Sequence, residues 1–255
     1  MLPTLRFLHS MRELEFLRLA LSEGLMFTDH EAAYVPASST AEWEELSAGV
    51  TVLLKQRLAA LGKPWQSLSE GRRETLMSGI GSMRGKIPMI CFTEIPEGRQ
   101  LWFQQFTFGR YGVVVSRSWL ERNGGDRVLY VGENSELSRR LYRVIATFMA
   151  STVLLGQDGE PVFSHHSFPP ILDLLACMEQ RSNLAELEWR IPGHHGFHSG
   201  QRATGRRLPL PLGDVEAVLV KEASEVAEVE RLMRTLPGSN SLPSLPLVIH
   251  QPAVL

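Results

Sequence analysis

Short apolar runs of strand character alternate irregularly with longer segments of helical spacing, and this order constrains the fold more than any other feature. Parallel strands joined by helices would repeat at a steady βαβ interval, and the 255 residues contain no such interval. The order therefore predicts an α+β fold with a mixed or antiparallel sheet and flanking helices. The strand candidates are TLRFLH, IPMICF, YGVVVS, DRVLYV, LEWRI, DVEAVLV and a possible edge strand, LVIH.

Apolar spacing, with glycine or proline near the ends, predicts the helices. Residues 62–86 carry Gly, Ser, Lys and Arg with little periodicity, which predicts a mobile surface loop. We expect one domain over 1–255, with a helical insert at about 40–80 and a Pro- and Ser-rich tail from about 237. The predicted helices span residues 11–22, 42–61, 96–108, 116–125, 136–153, 168–180 and 222–236.

Composition and charge exclude several classes of protein. Hydrophobic residues make up 44% of the chain and the net charge is −2, so no global basic field attracts DNA or an anionic membrane. Charged residues interrupt the apolar N-terminus, and no run approaches the ~18 apolar residues of a membrane span. Cys91 and Cys177 lie within apolar runs and are interpreted as buried thiols. A cytoplasmic location without membrane contact is expected.

Three histidines, His194, His195 and His198, form an H-H-x-x-H cluster of the kind that binds zinc, nickel or copper. The surrounding proline and glycines disfavour a helix that would aim the imidazoles together, so a polar loop is preferred and no metal is expected. A metal-dependent enzyme centred on residues 194–198 is the weakest of three hypotheses. P-loop, G-x-S-x-G, H-E-x-x-H and C-x-x-C motifs are absent from the sequence.

A basic stretch follows the histidines, with Arg202, Arg206 and Arg207 in QRATGRRLP. Arginines in such a stretch can contact phosphate or a nucleic-acid backbone. No flanking aromatic residues are present to stack on bases, so a solvated loop is the preferred interpretation.

Three further segments occur in a characteristic order. They are FLH with LRLALSEGL, the long run from IPMICFTEIP through YGVVVS to DRVLYV, and ELEWRI followed by DVEAVLV. In this order they resemble the AbiGi-type abortive phage-resistance family and a group of related bacterial domains. The resemblance implies a role in phage defence or a toxin–antitoxin pair, with a cognate antitoxin or another defence-system protein as partner.

The layout is also similar to that of ADP-ribosyltransferase-like domains such as the DarT-type toxins. The resemblance implies that NAD is the substrate and that a macromolecule of unknown identity accepts the ADP-ribose. It implies that His9 on the first strand contacts NAD, and that Glu188 on a late strand bonds the ribose and supports transfer. Glu186 completes an E-x-E pair, and two-residue spacing would place both carboxylates on one strand face.

The chemistry of NAD cleavage suggests auxiliary roles. Breaking the glycosidic bond expels neutral nicotinamide and develops positive charge on the ribose, which a carboxylate stabilises. An arginine can hold the pyrophosphate with two parallel hydrogen bonds, and Arg190, Arg110 and Arg6 are candidates. Tyr111 or Trp102 is a candidate for stacking on nicotinamide.

Structural alternatives stand beside each of these roles. His9 can instead be a core histidine bonded to the backbone, which is the commoner fate of a lone histidine in an apolar strand. Glu188 and Arg190 can form a structural ion pair on one strand face. On that interpretation the protein is a catalytically silent defence or regulatory module that binds a nucleotide or a partner. The transferase predicts that His9 and Glu188 face one cleft.

Overall fold

The structure is a computed structural model, and it describes residues 6–32, 40–81, 85–95, 108–132, 135–164, 167–180, 184, 186–193 and 204–250. Within these residues an eight-stranded mixed sheet carries helices on both faces, which confirms the α+β prediction. No helix among the described residues is long and apolar enough to cross a membrane.

The elements follow in chain order. The helices are α1 (Leu14–Glu23), α2 (Thr40–Ala60), α3 (Glu70–Gly81), α4 (Arg117–Arg122), α5 (Glu136–Ser151), α6 (Phe168–Ala176) and α7 (Val226–Thr235). The strands are β1 (Arg6–Met11), β2 (Leu25–Met26), β3 (Thr28–Ala32), β4 (Gly85–Ile95), β5 (Tyr111–Ser116), β6 (Asp126–Arg127), β7 (Leu129–Val131), β8 (Val153–Leu155), β9 (Pro161–Phe163), β10 (Met178–Gln180), β11 (Glu188–Pro192), β12 (Arg207–Leu208), β13 (Val215–Val220) and β14 (Leu247–His250).

The main sheet has the strand order β14-β13-β5-β1-β4-β11-β6, and β3 pairs with β4 beside this path. Only the pairing of β13 with β14 is parallel within this sheet. Three two-stranded ladders lie outside it: β10 with β7, β12 with β2, and β8 with β9. The LVIH segment lies at the sheet edge as β14, as its sequence predicts.

Hydrophobic side chains cover both faces of the sheet. On one face, α1, α4 and α7 pack against the central strands around Phe7, Phe92 and Trp119. On the other face, α2, α3, α5 and α6 pack around Met89 at the β3 end of β4. A smaller cluster around Leu8 lies on this second face, because Leu8 pairs with Thr93, four residues along β4 from Met89. The second face therefore has two separate apolar areas.

Two of the predicted boundaries are wrong. Residues 62–86 include α3, whose apolar stripe is narrow because Leu76 is its only fully buried position among those described. Gly79 lies against the ring of Phe163, so a residue that weakens the helical pattern serves close packing here. The helix predicted at 168–180 ends at Ala176, and β10 follows it. The helix predicted at 96–108 lies almost wholly outside the described residues.

Substituting Gly109 with alanine tests the packing of β1 against the loop before β5. Gly109 has φ +122°, and a Cβ there would overlap the carbonyl oxygen of Met11. We expect Gly109→Ala to lower the free energy of unfolding by at least about 2 kcal/mol, measured by urea denaturation. Gly49→Ala is the control, since Gly49 lies in α2 with open space around it and should gain stability. Equal changes in the unfolding free energy of the two variants would contradict the close contact between Gly109 and the carbonyl of Met11.

Candidate active site at a gap in the sheet

A gap opens in the main sheet along one edge of β4. β1 pairs with β4 at residues 93–95, whereas β3 pairs with the same edge at residues 85–89. Among the described residues, no strand pairs with residues 90–92 on this side, while β11 pairs with them on the other side. We call this edge the sheet gap. In place of a strand, Nδ1 of His9 contacts the carbonyl oxygen of Cys91 at 2.8 Å.

A cavity of about 590 Å³ lies at the sheet gap, within the size range of small-molecule sites. Five polar lining residues that are buried or half-buried form what we call the floor: His9, His30, Cys91, Glu188 and Arg190. Its solvent-exposed lining residues form the mouth, and they are Arg12, Phe16, Met26, Phe108 and the partly exposed Arg207. The cavity thus joins a charged, buried end to an apolar and cationic exposed end.

The guanidinium of Arg190 organises the floor. Its Nη2 donates to Glu188 Oε2 at 2.6 Å and to Glu179 Oε2 at 2.7 Å. Its Nη1 donates to the carbonyls of Ala176 at 2.9 Å and Met178 at 3.2 Å, where α6 ends. Burial alone lowers the pKa of Arg190, but the hydrogen bond and charge of Glu188 outweigh it and raise that pKa. Arg190 stays charged with both terminal nitrogens engaged.

Glu188 is fixed by its backbone as well as its side chain. It is only 8% exposed, and its N–H donates to the hydroxyl of Tyr130 at 2.8 Å. The preceding residue, Leu187, has φ 46°, a left-handed conformation that is costly for a branched side chain. Two backbone hydrogen bonds hold that conformation. The N–H of Leu187 donates to the carbonyl of Leu184, and the carbonyl of Leu187 accepts from the N–H of Glu94. The turn delivers Glu188 to the first position of β11.

The turn at Leu187 corrects one sequence prediction. Glu186 and Glu188 were expected to share a strand face, but β11 begins at Glu188 and the left-handed residue between them breaks the alternation. Glu186 nevertheless lines the cavity. Burial raises the pKa of Glu186, and the negative charge of Glu188 raises it further.

His9 reaches the cavity from the opposite face of the sheet. Alternation along β1 places Leu8 on the Glu188 face and His9 on the other, where its ring lies 5.6 Å from that of Phe92. Both His9 and Glu188 line the cavity because the sheet gap opens it to both faces. The Cys91 carbonyl can only accept, so Nδ1 of His9 carries the proton. Burial lowers the pKa of His9, which favours the neutral ring.

His30 belongs to the floor and was missed by the sequence analysis. It lies on β3, on the same face as Glu188, with Nε2 2.8 Å from the Thr28 hydroxyl. Burial lowers the pKa of His30, and the charge of Glu188 partly opposes this shift. The available signal was the alternation of Thr28 and His30 in FTDHEA, which identifies one face of a short strand.

Cys91 is a thiol of the floor without nucleophilic character. Burial raises the pKa of Cys91 well above its usual value, and the neighbouring carboxylate of Glu188 raises it further. A thiol protonated in this way is a poor nucleophile. Cys177, at the end of α6, is likewise free, and burial raises its pKa to about 12.

Several candidate residues lie outside the cavity lining. Arg6 lies at the far end of β1, 3.7 Å from Glu216, and Tyr111 donates its hydroxyl to Glu225 at 2.9 Å. Arg110 donates to the carbonyl of Lys221. Neither Arg6 nor Tyr111 lines this cavity, and the NAD contacts predicted for them stay predictions.

Arg190 lines the cavity, but its terminal nitrogens already bind carboxylates and carbonyls, which leaves no fork for a pyrophosphate. Trp102, Arg202 and the histidine cluster 194–198 lie outside the described residues. Among the residues that the structure describes, no group of three His, Cys, Asp or Glu side chains is arranged to hold a metal ion.

Removing the buried cation tests the network of the floor. Arg190→Leu would leave the Glu188 and Glu179 carboxylates buried without their counter-ion. We expect a loss of about 3–5 kcal/mol in the free energy of unfolding, measured by urea denaturation. Arg127→Leu, on β6, removes an exposed arginine 3.8 Å from Glu94 and should cost below about 1 kcal/mol. Similar losses of unfolding free energy in the two variants would contradict the expected role of Arg190 as a buried counter-ion.

The two floor histidines predict acid sensitivity. The folded pKa of each lies below the usual 6.5, so the unfolded chain binds more protons as the pH falls through 6.5. The free energy of unfolding should therefore fall, by at most about 1.4 kcal/mol per pH unit for each histidine. Glu186 acts oppositely nearer pH 4.5, because its raised pKa favours the folded state as it protonates.

Urea titrations between pH 7.5 and pH 5.5 measure this effect. The His9→Asn, His30→Gln double variant should lose less stability on acidification than the wild type, since it lacks both groups. His250→Gln, on β14, is the matched control and should follow the wild type. If the double variant showed the wild-type pH dependence, the histidines would not be the groups that titrate.

Residues 72–197 match the family described as "putative abortive phage resistance protein AbiGi, antitoxin". The match spans just under half of the 255 residues. It includes Cys91, Tyr130, Glu188 and Arg190, whereas His9 and the other N-terminal lining residues precede it.

No curated protein and no solved structure matches the chain significantly. The family match agrees with the resemblance drawn from the IPMICF and ELEWRI segments. Over residues 72–197 the chain is thus similar to the AbiGi family of abortive phage resistance proteins.

Proposed function

We propose that this protein acts in phage defence and uses its cavity to transfer ADP-ribose from NAD to a macromolecule. One observation carries the enzymatic part: Glu188 and His9 are far apart in the sequence and lie on opposite sheet faces, yet both line one cavity of ligand size. The match to the AbiGi family supports the phage-defence part. A cognate toxin–antitoxin or defence-system protein is the proposed partner.

In this proposal Glu188 supplies a fixed negative charge. Its Oε2 accepts a hydrogen bond from Arg190, which keeps the carboxylate in one orientation. It accepts hydrogen bonds from the ribose hydroxyls and stabilises the positive charge that develops at the anomeric carbon. The electron pair of the glycosidic bond leaves with nicotinamide, which departs as a neutral molecule.

The acceptor then forms its bond to the anomeric carbon and loses a proton. His30 is the proposed acceptor of that proton, since it lies on the Glu188 face and its lowered pKa keeps its ring neutral. His9 has a different role because its Nδ1–H is committed to the Cys91 carbonyl. It holds one wall of the cavity beside the reacting sugar.

Nicotinamide release and label transfer test the proposal. Purified protein is incubated with NAD labelled on the adenylate phosphate and with bacterial lysate. We expect Glu188→Gln to lower both signals by about 10²–10³-fold, while its amide oxygen still accepts from Arg190. Glu179→Gln is the matched control, because Glu179 bonds the same Arg190 nitrogen but is not a cavity-lining residue.

Equal activity in Glu188→Gln and Glu179→Gln would remove Glu188 from catalysis. A wild type that releases no nicotinamide would favour the second candidate, a catalytically silent module that binds a nucleotide or partner. The word "antitoxin" in the family description favours that candidate.

A further inference from the structure

The mouth of the cavity combines exposed apolar side chains with two arginines. Phe16 and Phe108 are each 47% exposed and Met26 is 39% exposed, although all three line the same cavity. Large apolar side chains that remain exposed around a concave site commonly contact a ligand. Arg12 and Arg207 lie among them as cations.

The two arginines differ in how they are held. Arg12 follows β1, is exposed, and has no hydrogen-bond or ion-pair partner among the described residues. Arg207 is fixed in β12, with Nε 2.8 Å from Glu23 and Nη1 donating to the carbonyl of Gly24 at 3.0 Å. Within the described ranges, Nη2 of Arg207 has no partner. Arg207 is thus anchored with one nitrogen available to donate, and the exposed Arg12 side chain is available to contact a ligand.

The backbone keeps the aromatic residues close to Arg12. Gly109 packs so tightly on the carbonyl of Met11 that Phe108 is carried beside the end of β1. Phe16 lies in the first turn of α1, four residues after Arg12. On the other side, Met26 pairs with Arg207 across the β2–β12 ladder. Three separate segments therefore bring aromatic rings and guanidinium groups to one opening.

We propose that the mouth binds the diphosphate and base of a nucleoside diphosphate. Arg12 and Arg207 hold the phosphates, because guanidinium groups match phosphate oxygens in geometry and charge. Phe16 and Phe108 contact the face of the base, as aromatic side chains do in nucleotide sites. The inference rests on the proposed function for the identity of the nucleotide, since it assigns the ADP half of NAD.

Calorimetric titration of the full chain tests this assignment with three probes: ADP, adenosine and inorganic pyrophosphate. We expect the wild type to bind ADP more tightly than adenosine or pyrophosphate. Arg12→Gln should weaken ADP binding about 10- to 100-fold, the usual effect of losing a charged hydrogen bond. Because Arg12 has no described partner, this variant removes a charge without removing a contact.

Arg6→Gln is the matched control, since it makes the same charge change at the other end of β1 and outside the cavity lining. It should bind ADP within about twofold of the wild type, because the lost charge is distant and screened. Phe16→Ser should weaken ADP binding but leave pyrophosphate binding unchanged. Raising the salt concentration should weaken ADP binding more than adenosine binding.

Several results would overturn the inference. They are no ADP binding at millimolar concentration, equal binding of ADP and adenosine, equal binding of ADP and pyrophosphate, or equal effects of Arg12→Gln and Arg6→Gln. ADP contains no nicotinamide, so its binding is measured independently of turnover. ADP binding that depends on Arg12, in a protein that releases no nicotinamide, would refute the transferase and retain this site.

Discussion

The buried guanidinium of Arg190 is the interaction on which the site depends. It is 5% exposed and joins three elements, with Glu188 on β11, Glu179 on β10 and the carbonyls at the end of α6. Burying such a cation is costly, and its acceptors offset that cost only in part, since Nε has no hydrogen-bond partner in the part of the chain that the structure describes. Buried ion pairs are therefore poor contributors to net stability. What this one secures is position, because it holds the Glu188 carboxylate in one orientation on the cavity floor.

The sheet gap explains why such a floor is accessible at all. A continuous sheet would separate His9 from Glu188, because alternation places them on opposite faces. β4 is long enough to pair with β1 at one end and β3 at the other, and its middle three residues are left open on that edge. The gap also leaves the Cys91 carbonyl without a strand partner, and His9 satisfies it. The His9 imidazole thus both satisfies an unpaired carbonyl of the sheet and lines the cavity.

Elements of the fold could be predicted where a local residue pattern was enough to determine a helix or strand. YGVVVS and DVEAVLV are buried strands because their β-branched residues suit a strand buried on both faces. Helix α3 was not predicted because only Leu76 of its described residues is fully buried, so its apolar spacing is weak. Its glycines weaken the helical pattern further. Its stability comes from tertiary contacts, which local propensity does not register. The end of α6 was missed for a related reason, since Arg190 takes its carbonyls from a distant strand.

Some residues of the candidate site could be predicted from a sequence pattern, and others could not. Glu188 was identified through its motif, and its face through alternation along EWR. His30 has no motif, and its approach to Glu188 depends on β3 pairing with the far end of β4. Arg6 and Tyr111 were plausible by residue type alone, but pairing register carries them away from the cavity. The sequence thus predicted which residue types line the cavity better than it predicted their distances.

The electrostatics of the floor bear on what kind of catalysis it could support. Arg190 holds the Glu188 carboxylate in one orientation, so in the proposed transferase Glu188 stabilises positive charge rather than removing a proton. Proton transfer then requires a neutral base nearby, and the lowered pKa of His30 provides one on the same face. The proposed transfer thus assigns the fixed anion and the neutral base to different residues. Because Arg190, the cation of the floor, already binds two carboxylates, the proposed ligand places its phosphates at the arginines of the mouth.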